Sequence, residues 1–219
     1  MPLYPSPLVL VEEFHLTYGQ KVRIIPNIDI AERQLRIELI REEAEELETA
    51  TNEDDFIEVV DALADILYVT YGAAVAHGIN IDHVLGLTDN VSPSRLINLA
   101  LEAEGAQIPT EPRFIKSVLL KEVPVLNDAV ERYTEASNAL DIKGVTNAIT
   151  KIIFTCYATS ARLGVDIDDV LAEVQRSNLS KLGADGKPIY RESDNKVLKG
   201  PNFFTPKIAE VLTDQGWQG

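Results

Sequence analysis

Glu58-Val59-Val60-Asp61-Ala62-Leu63-Ala64-Asp65 reads as one side of a helix. At 100° per residue Glu58, Asp61 and Asp65 fall within an arc of roughly 60°. Ile57, Val60, Leu63, Ile66 and Leu67 make the rest almost uniformly apolar. Upstream lies Arg41-Glu42-Glu43-Ala44-Glu45-Glu46-Leu47, where Glu43 and Glu46 sit one helical turn apart with Glu42 beside them. Residues 41–65 hold eleven acidic side chains and one basic one, so like charges are stacked on both helices. An apolar helix is normally buried, and a buried carboxylate without a partner is costly. Something positive belongs between the two helices. Oxygen-only ligands favour a hard cation, Mg²⁺ or Mn²⁺, over zinc. Glu45, Glu48, Glu53 and Asp54 read as an ordinary solvated face.

Working outward, residues 6–18 form a first helix, opened by Ser6-Pro7 and closed at Gly19. Residues 20–30 connect it to a second helix over 31–50, whose stripe is Leu35, Leu39, Ile40 and Leu47. Asn52 is placed to cap a third helix ending at His77, and a short fourth spans 81–87. No strand is legible in this half, and the expected class is all-α.

The plan recurs 86 residues later. Asp55–Leu85 aligns with Asp141–Leu171 without a gap, with ten identities in 31 positions. About two would arise by chance at this composition. The match predicts a tandem four-helix unit, with residues 1–98 as the first repeat, 99–184 as a degenerate second and 185–219 as a tail, packed as one bundle about a pseudo-twofold axis. The third helix and its counterpart over 142–163 should lie together at the centre. Opposite Glu42, Glu43 and Glu46 stand Asp128, Ala129 and Arg132; opposite Glu58, Asp61 and Asp65 stand Gly144, Asn147 and Lys151. The second copy keeps the packing residues and loses the acids, so the acids are separable from the fold. Lys151 is expected to pair with Asp128.

The tail shows the opposite asymmetry. Residues 176–199 carry Arg176, Lys181, Lys187, Arg191, Lys196 and Lys199 against three acids, in a chain of net charge −15. Residues 189–198 suit a small hairpin turning at Ser193-Asp194-Asn195. Such a segment reads as a phosphate-binding lid over the acidic site, giving one composite site per chain. The net charge argues against nucleic-acid and membrane partners. A single cysteine, Cys156, excludes an internal disulfide, and the short apolar run at 8–11 is followed by Glu12-Glu13, so a cytoplasmic protein is expected.

Arg36-Ile37-Glu38-Leu39-Ile40-Arg41-Glu42-Glu43-x-x-Glu46 followed by Asp61-Ala62-Leu63-Ala64-Asp65-Ile66-Leu67-Tyr68 resembles the all-α nucleoside triphosphate pyrophosphohydrolases, MazG-like and phosphoribosyl-ATP pyrophosphohydrolase-like. Residues 173–181, then Asp185-Gly186-Lys187-Pro188 and Lys199-Gly200-Pro201-Asn202-Phe203, are similar to their C-terminal signature. Single-unit members have the two stretches about one repeat closer together. The resemblance implies Mg²⁺-dependent hydrolysis of a nucleoside triphosphate, with dUTP, dGTP or GTP, and dCTP as candidates, to the monophosphate and pyrophosphate. It implies Glu42 as the residue that orients or deprotonates the attacking water, and Glu43, Glu46, Asp61 and Asp65 as metal ligands. The family's second motif is ExxD, whose Glu falls on Ala62 here. Asp61 is the favoured replacement, with Glu58 one turn further back. Arg176, Asn178 and Lys181 would hold phosphate oxygens, and Glu58, Lys187, Tyr190 and Lys199 complete the expected substrate-binding set. Single-unit relatives commonly form dimers or tetramers, so a homodimer of two-repeat chains is expected. The competing expectation is a non-catalytic helical module that binds nucleotide or metal and leaves nucleotide intact. His15, beside Phe14, is a candidate for a base pocket, although a packed histidine is the plainer reading.

Overall fold

The computed structural model describes residues 5–87 and 92–219. Helices α1 (Pro7–Thr17), α2 (Ile30–Glu53), α3 (Phe56–His77) and α4 (Ile81–Leu85) form the first half. Helices α5 (Pro93–Ala103), α6 (Lys116–Asn138), α7 (Ile142–Arg162) and α8 (Ile167–Leu179) follow, and a short α9 (Ile208–Asp214) closes the described chain. The protein is all-helical, with one more helix among the described residues than the eight the repeat predicts.

Local chemistry accounts for the helix starts. Ser6 Oγ accepts from Val9 N–H, with Pro7 at the first helical position. The cap of α3 is Asp55, not Asn52, its carboxylate accepting from Glu58 N–H. Asn52 lies inside α2, which continues to Glu53 and ends on Asp54 in the left-handed region at φ 59°. An aspartate tolerates that conformation, and a second one then satisfies and charge-complements the next helix start.

Helices α5 to α8 each open 86 residues after α1 to α4. Leu140, at φ 56°, repeats the turn made by Asp54. Gly78 and Gly164 make the same close approach: a Cβ would lie 2.5 Å from Ile25 O at the first and 2.4 Å from Glu111 O at the second. The halves differ at their fourth helices, since α8 has 13 residues where α4 has 5. The expected match of residues 90–96 with 176–182 falls partly on residues 88–91, outside the described residues.

Helix α3 is long and apolar enough to cross a membrane, but it is buried within the bundle. It packs on α2 and α7, while α6 covers α7 and touches α2. One apolar core therefore runs through both halves, with Tyr71 and Tyr157 fully buried at equivalent positions. Burying large aromatic and branched side chains on the central pair supplies most of the driving force. The tail forms the expected hairpin: Tyr190 and Val197 make an antiparallel bridge, and Leu198 N–H donates to Ile189 O at 2.8 Å. Asn195 takes the left-handed turn position at φ 62°.

Candidate active site

The tight turn at Asp54–Asp55 folds α3 back along α2 and sets their acidic faces against one cavity of about 670 Å³. Glu43 and Glu46 enter from α2, and Glu58, Asp61 and Asp65 from α3. Among the described residues, Glu42 alone of these acids has a salt-bridge partner, Lys196 Nζ at 2.5 Å. Asp61 Oδ1 is buried without a hydrogen-bond donor. Burial, then the charges of Glu58 and Glu46, push the Asp61 carboxyl up to about 6. Burial and the neighbouring acids likewise raise Glu43, which faces Asp65, and Asp65, which faces Asp61. A cation among these carboxylates would relieve that repulsion.

The opposing wall is basic and comes from beyond α8. Lys181, Lys196 and Lys199 all line the cavity. Gly200 N–H donates to Lys181 O at 3.0 Å, which holds the Lys199 segment against the turn after α8. Only glycine fits there, because a Cβ would lie 2.0 Å from Leu182 O. Lys199 Nζ stands 4.6 Å over the Phe203 ring. Burial lowers the Lys181 ammonium and Asp65 opposes that shift, so the base is desolvated beside the acids. The hairpin that delivers Lys196 is hooked to the first half where the Tyr190 hydroxyl donates to Tyr18 O. Tyr18 Oη in turn donates to Asn178 O at 2.9 Å.

The residues singled out from the sequence fall into two groups. Glu43, Glu46, Glu58, Asp61, Asp65, Asn178, Lys181 and Lys199 line the cavity, and Glu42 stands at its edge on Lys196. Arg176, Lys187 and Tyr190 do not line it. Arg176 is held by Glu173, at 2.7 Å through Nε and 2.5 Å through Nη2, and lies 4.2 Å over the Phe204 ring. Lys187 sits on an exposed turn closed by its own N–H on Asp185. Tyr190 serves the fold of the hairpin. Lys151 is exposed and does not pair with Asp128, which Arg132 takes at 2.7 Å one turn along the same helix. Lys196 counts among the bases of the tail lid in the sequence but not in its expected substrate-binding set, and Gln20, Arg36 and Gly72, which line the far end of the cavity with His15, were not assigned to the site. Arg36 carried a signal: it sits among Leu35, Ile37 and Ile40 on the buried side of α2.

The donor set can be tested against a metal. Among the described residues no three His, Cys, Asp or Glu side chains converge as a preformed cluster. The cavity nevertheless brings Glu43, Glu46, Asp61 and Asp65 together as oxygen donors, with one Asp61 oxygen lacking any partner. That chemistry fits a hard divalent cation.

A model of the phosphoribosyl-ATP pyrophosphohydrolase family matches residues 11–89, which span the α2–α3 acids. The chain belongs to this family. The chain is also similar to the uncharacterized protein L479 of Acanthamoeba polyphaga mimivirus, 30% identical over 92% of this chain and 94% of the relative. Membership of this MazG-like superfamily supports a hydrolase in general, and the family is typically metal-dependent. The family match covers the acidic half; the lysine wall lies entirely outside it.

Proposed function

We propose that this protein cleaves the α–β phosphoanhydride of a nucleoside triphosphate, releasing the monophosphate and pyrophosphate. The observation that carries this reading is the opposition of the α2–α3 acids and Lys181, Lys196 and Lys199 across one cavity. A triphosphate needs both walls, because its negative charge requires ammonium groups and cations together.

Mg²⁺ bound by Glu43, Glu46, Asp61 and Asp65 would neutralise the triphosphate and acidify the attacking water. The chain's own groups do the rest. Lys181 and Lys199 hold phosphate oxygens at the inner end of the lysine wall. Lys196 leaves Glu42 for the incoming phosphates, and Glu42 then accepts the proton of the water that attacks the α-phosphorus. The Pα–O bond to the β-phosphate breaks, and pyrophosphate carries away the electron pair. The lysines favour that step by stabilising the leaving group's charge.

We also propose that the chain is a tandem duplication with one site. The second half offers Asp128 paired with Arg132, and Asn147 and Lys151 on α7, a set that cannot satisfy a divalent cation. Phosphoribosyl-ATP, the substrate in the matching family's name, presents the same scissile bond and constitutes the second reading. Release of pyrophosphate from a nucleotide panel that includes it, with and without Mg²⁺, tests both. Glu43→Ala and Asp65→Ala should abolish release; full activity in either refutes the site. A chain that binds nucleotide and leaves it intact for hours is the non-catalytic module instead.

A further inference from the structure

Beyond the acids, the cavity continues to a compartment between α1, α2 and α3. His15, Gln20 and Arg36 reach it, and Gly72 leaves it open. A Cβ on Gly72 would stand 3.3 Å from Arg36 Nη1 and 3.5 Å from His15 Nε2, so both groups point at the space above this one bare position of α3.

The polarity of each group is fixed by its neighbours. His15 Nδ1 lies 3.1 Å from Lys21 O, and a carbonyl only accepts, so Nδ1 carries the proton. Burial and the Arg36 charge push His15 down to about 3, so the ring is neutral at physiological pH. Its Nε2 is therefore an acceptor. Arg36 Nη2 donates to Gln20 Oε1 at 3.0 Å, which leaves the Gln20 amide nitrogen as a donor. Arg36 Nη1 is a further, charged donor. The compartment thus offers two donors and one acceptor inside apolar walls that include Val11, Leu39 and Val69.

The second half has lost this compartment. Leu101, Ala106 and Ala158 occupy the places of His15, Gln20 and Gly72, and they belong to a small apolar cluster. Glu122 stands in place of Arg36. The polar trio is therefore not needed to pack a helical unit of this kind.

We infer that His15, Arg36 and Gln20 read the nucleobase over Gly72 and favour an oxo base over adenine. This rests on the triphosphate reading of the adjoining acids. Uracil and cytosine each present two acceptors and an N–H along one edge, and guanine presents two acceptors, N7 and O6, side by side. Adenine presents one acceptor and one N–H on either edge, and would leave a buried donor unpaired. A site built to hydrogen-bond a group discriminates strongly against a ligand that lacks it.

The test is calorimetric binding of the four α,β-imido deoxynucleoside triphosphates, with inorganic tripolyphosphate as the base-free probe, all in Mg²⁺. The adenine analogue should bind at least tenfold more weakly than the best oxo base. Gln20→Ala installs the second half's residue and removes one of the two donors, so it should erase that difference while leaving tripolyphosphate affinity unchanged. Gly72→Ala, which fills the space with one methyl group against His15 and Arg36, should act in the same direction and covers the case in which Gln20→Ala does not fold. Equal binding of the adenine analogue, or an unaltered base preference in a folded variant, overturns the inference. These readouts do not depend on turnover. Absence of pyrophosphate release would count against the hydrolytic reading and leave this one standing on its own result.

Discussion

Asp61→Asn should stabilise the protein when divalent ions are removed. In the fold the Asp61 carboxyl is raised from 3.8 to about 6, mainly by burial and then by Glu58 and Glu46. A rise of that size makes its ionised form less favourable by about 3 kcal/mol relative to the open chain. Asp61 borders a solvent-reached cavity and is half-buried, so screening reduces this to about 1–2 kcal/mol. The sign follows from proton binding. Between pH 3.8 and about 6 the folded state keeps a proton that the unfolded chain has released, so wild-type stability falls across that window. Above it the penalty is complete and constant. Urea unfolding in EDTA, followed by far-UV circular dichroism, should show the asparagine variant more stable by about 1–2 kcal/mol at pH 8. The gain should shrink towards zero near pH 4. Adding Mg²⁺ should reverse the order, because a cation bound only by the folded wild type adds stability by mass action. A variant no more stable than wild type at pH 8 in EDTA would show that the Asp61 charge is not penalised, and the electrostatic account of the site would fail with it.

Lys181→Ala should weaken binding of a non-hydrolysable triphosphate at least tenfold, about 1.4 kcal/mol, whereas Lys151→Ala, exposed on α7, should leave turnover unchanged; equal effects would refute the division of labour between the halves. Gly200→Ala forces a Cβ to within 2.0 Å of Leu182 O. It should lower the urea midpoint by the equivalent of about 1–3 kcal/mol and raise KM through a displaced Lys199. Titration with the same analogue should saturate at one nucleotide per chain, and light scattering should report a dimer of the 24.2 kDa chain; two sites, or a monomer at micromolar concentration, would contradict these proposals.

The helices were legible because their signals are local. Ser6-Pro7, the apolar face of α3 and the glycines after α3 and α7 act through neighbouring residues, and the 86-residue offset repeats them. The one misplaced cap, Asn52, shows the limit of local evidence. Whether a helix stops at Ala50 or runs to Glu53 is decided by how α2 and α3 pack, not by which of three nearby polar residues caps best. The acids were legible for the same local reason, since helical spacing alone puts Glu58, Asp61 and Asp65 on one side of an apolar helix.

What the sequence by itself determined, then, is the all-helical class, the 86-residue recurrence of helix starts and the placing of the acids on the facing sides of α2 and α3, each written in intervals of a few residues or one constant offset. Only the tertiary structure decided which cations face those acids. Arg176 is captured by Glu173 one turn away, while Lys196 arrives at Glu42 across 154 positions of chain on a hairpin. It also decided that His15, Gln20, Arg36 and Gly72 share one compartment. The physical reason is that a helix dictates the direction of a side chain relative to its neighbours, whereas a loop's path, and the meeting of groups from three separate segments, depends on packing that no single segment encodes.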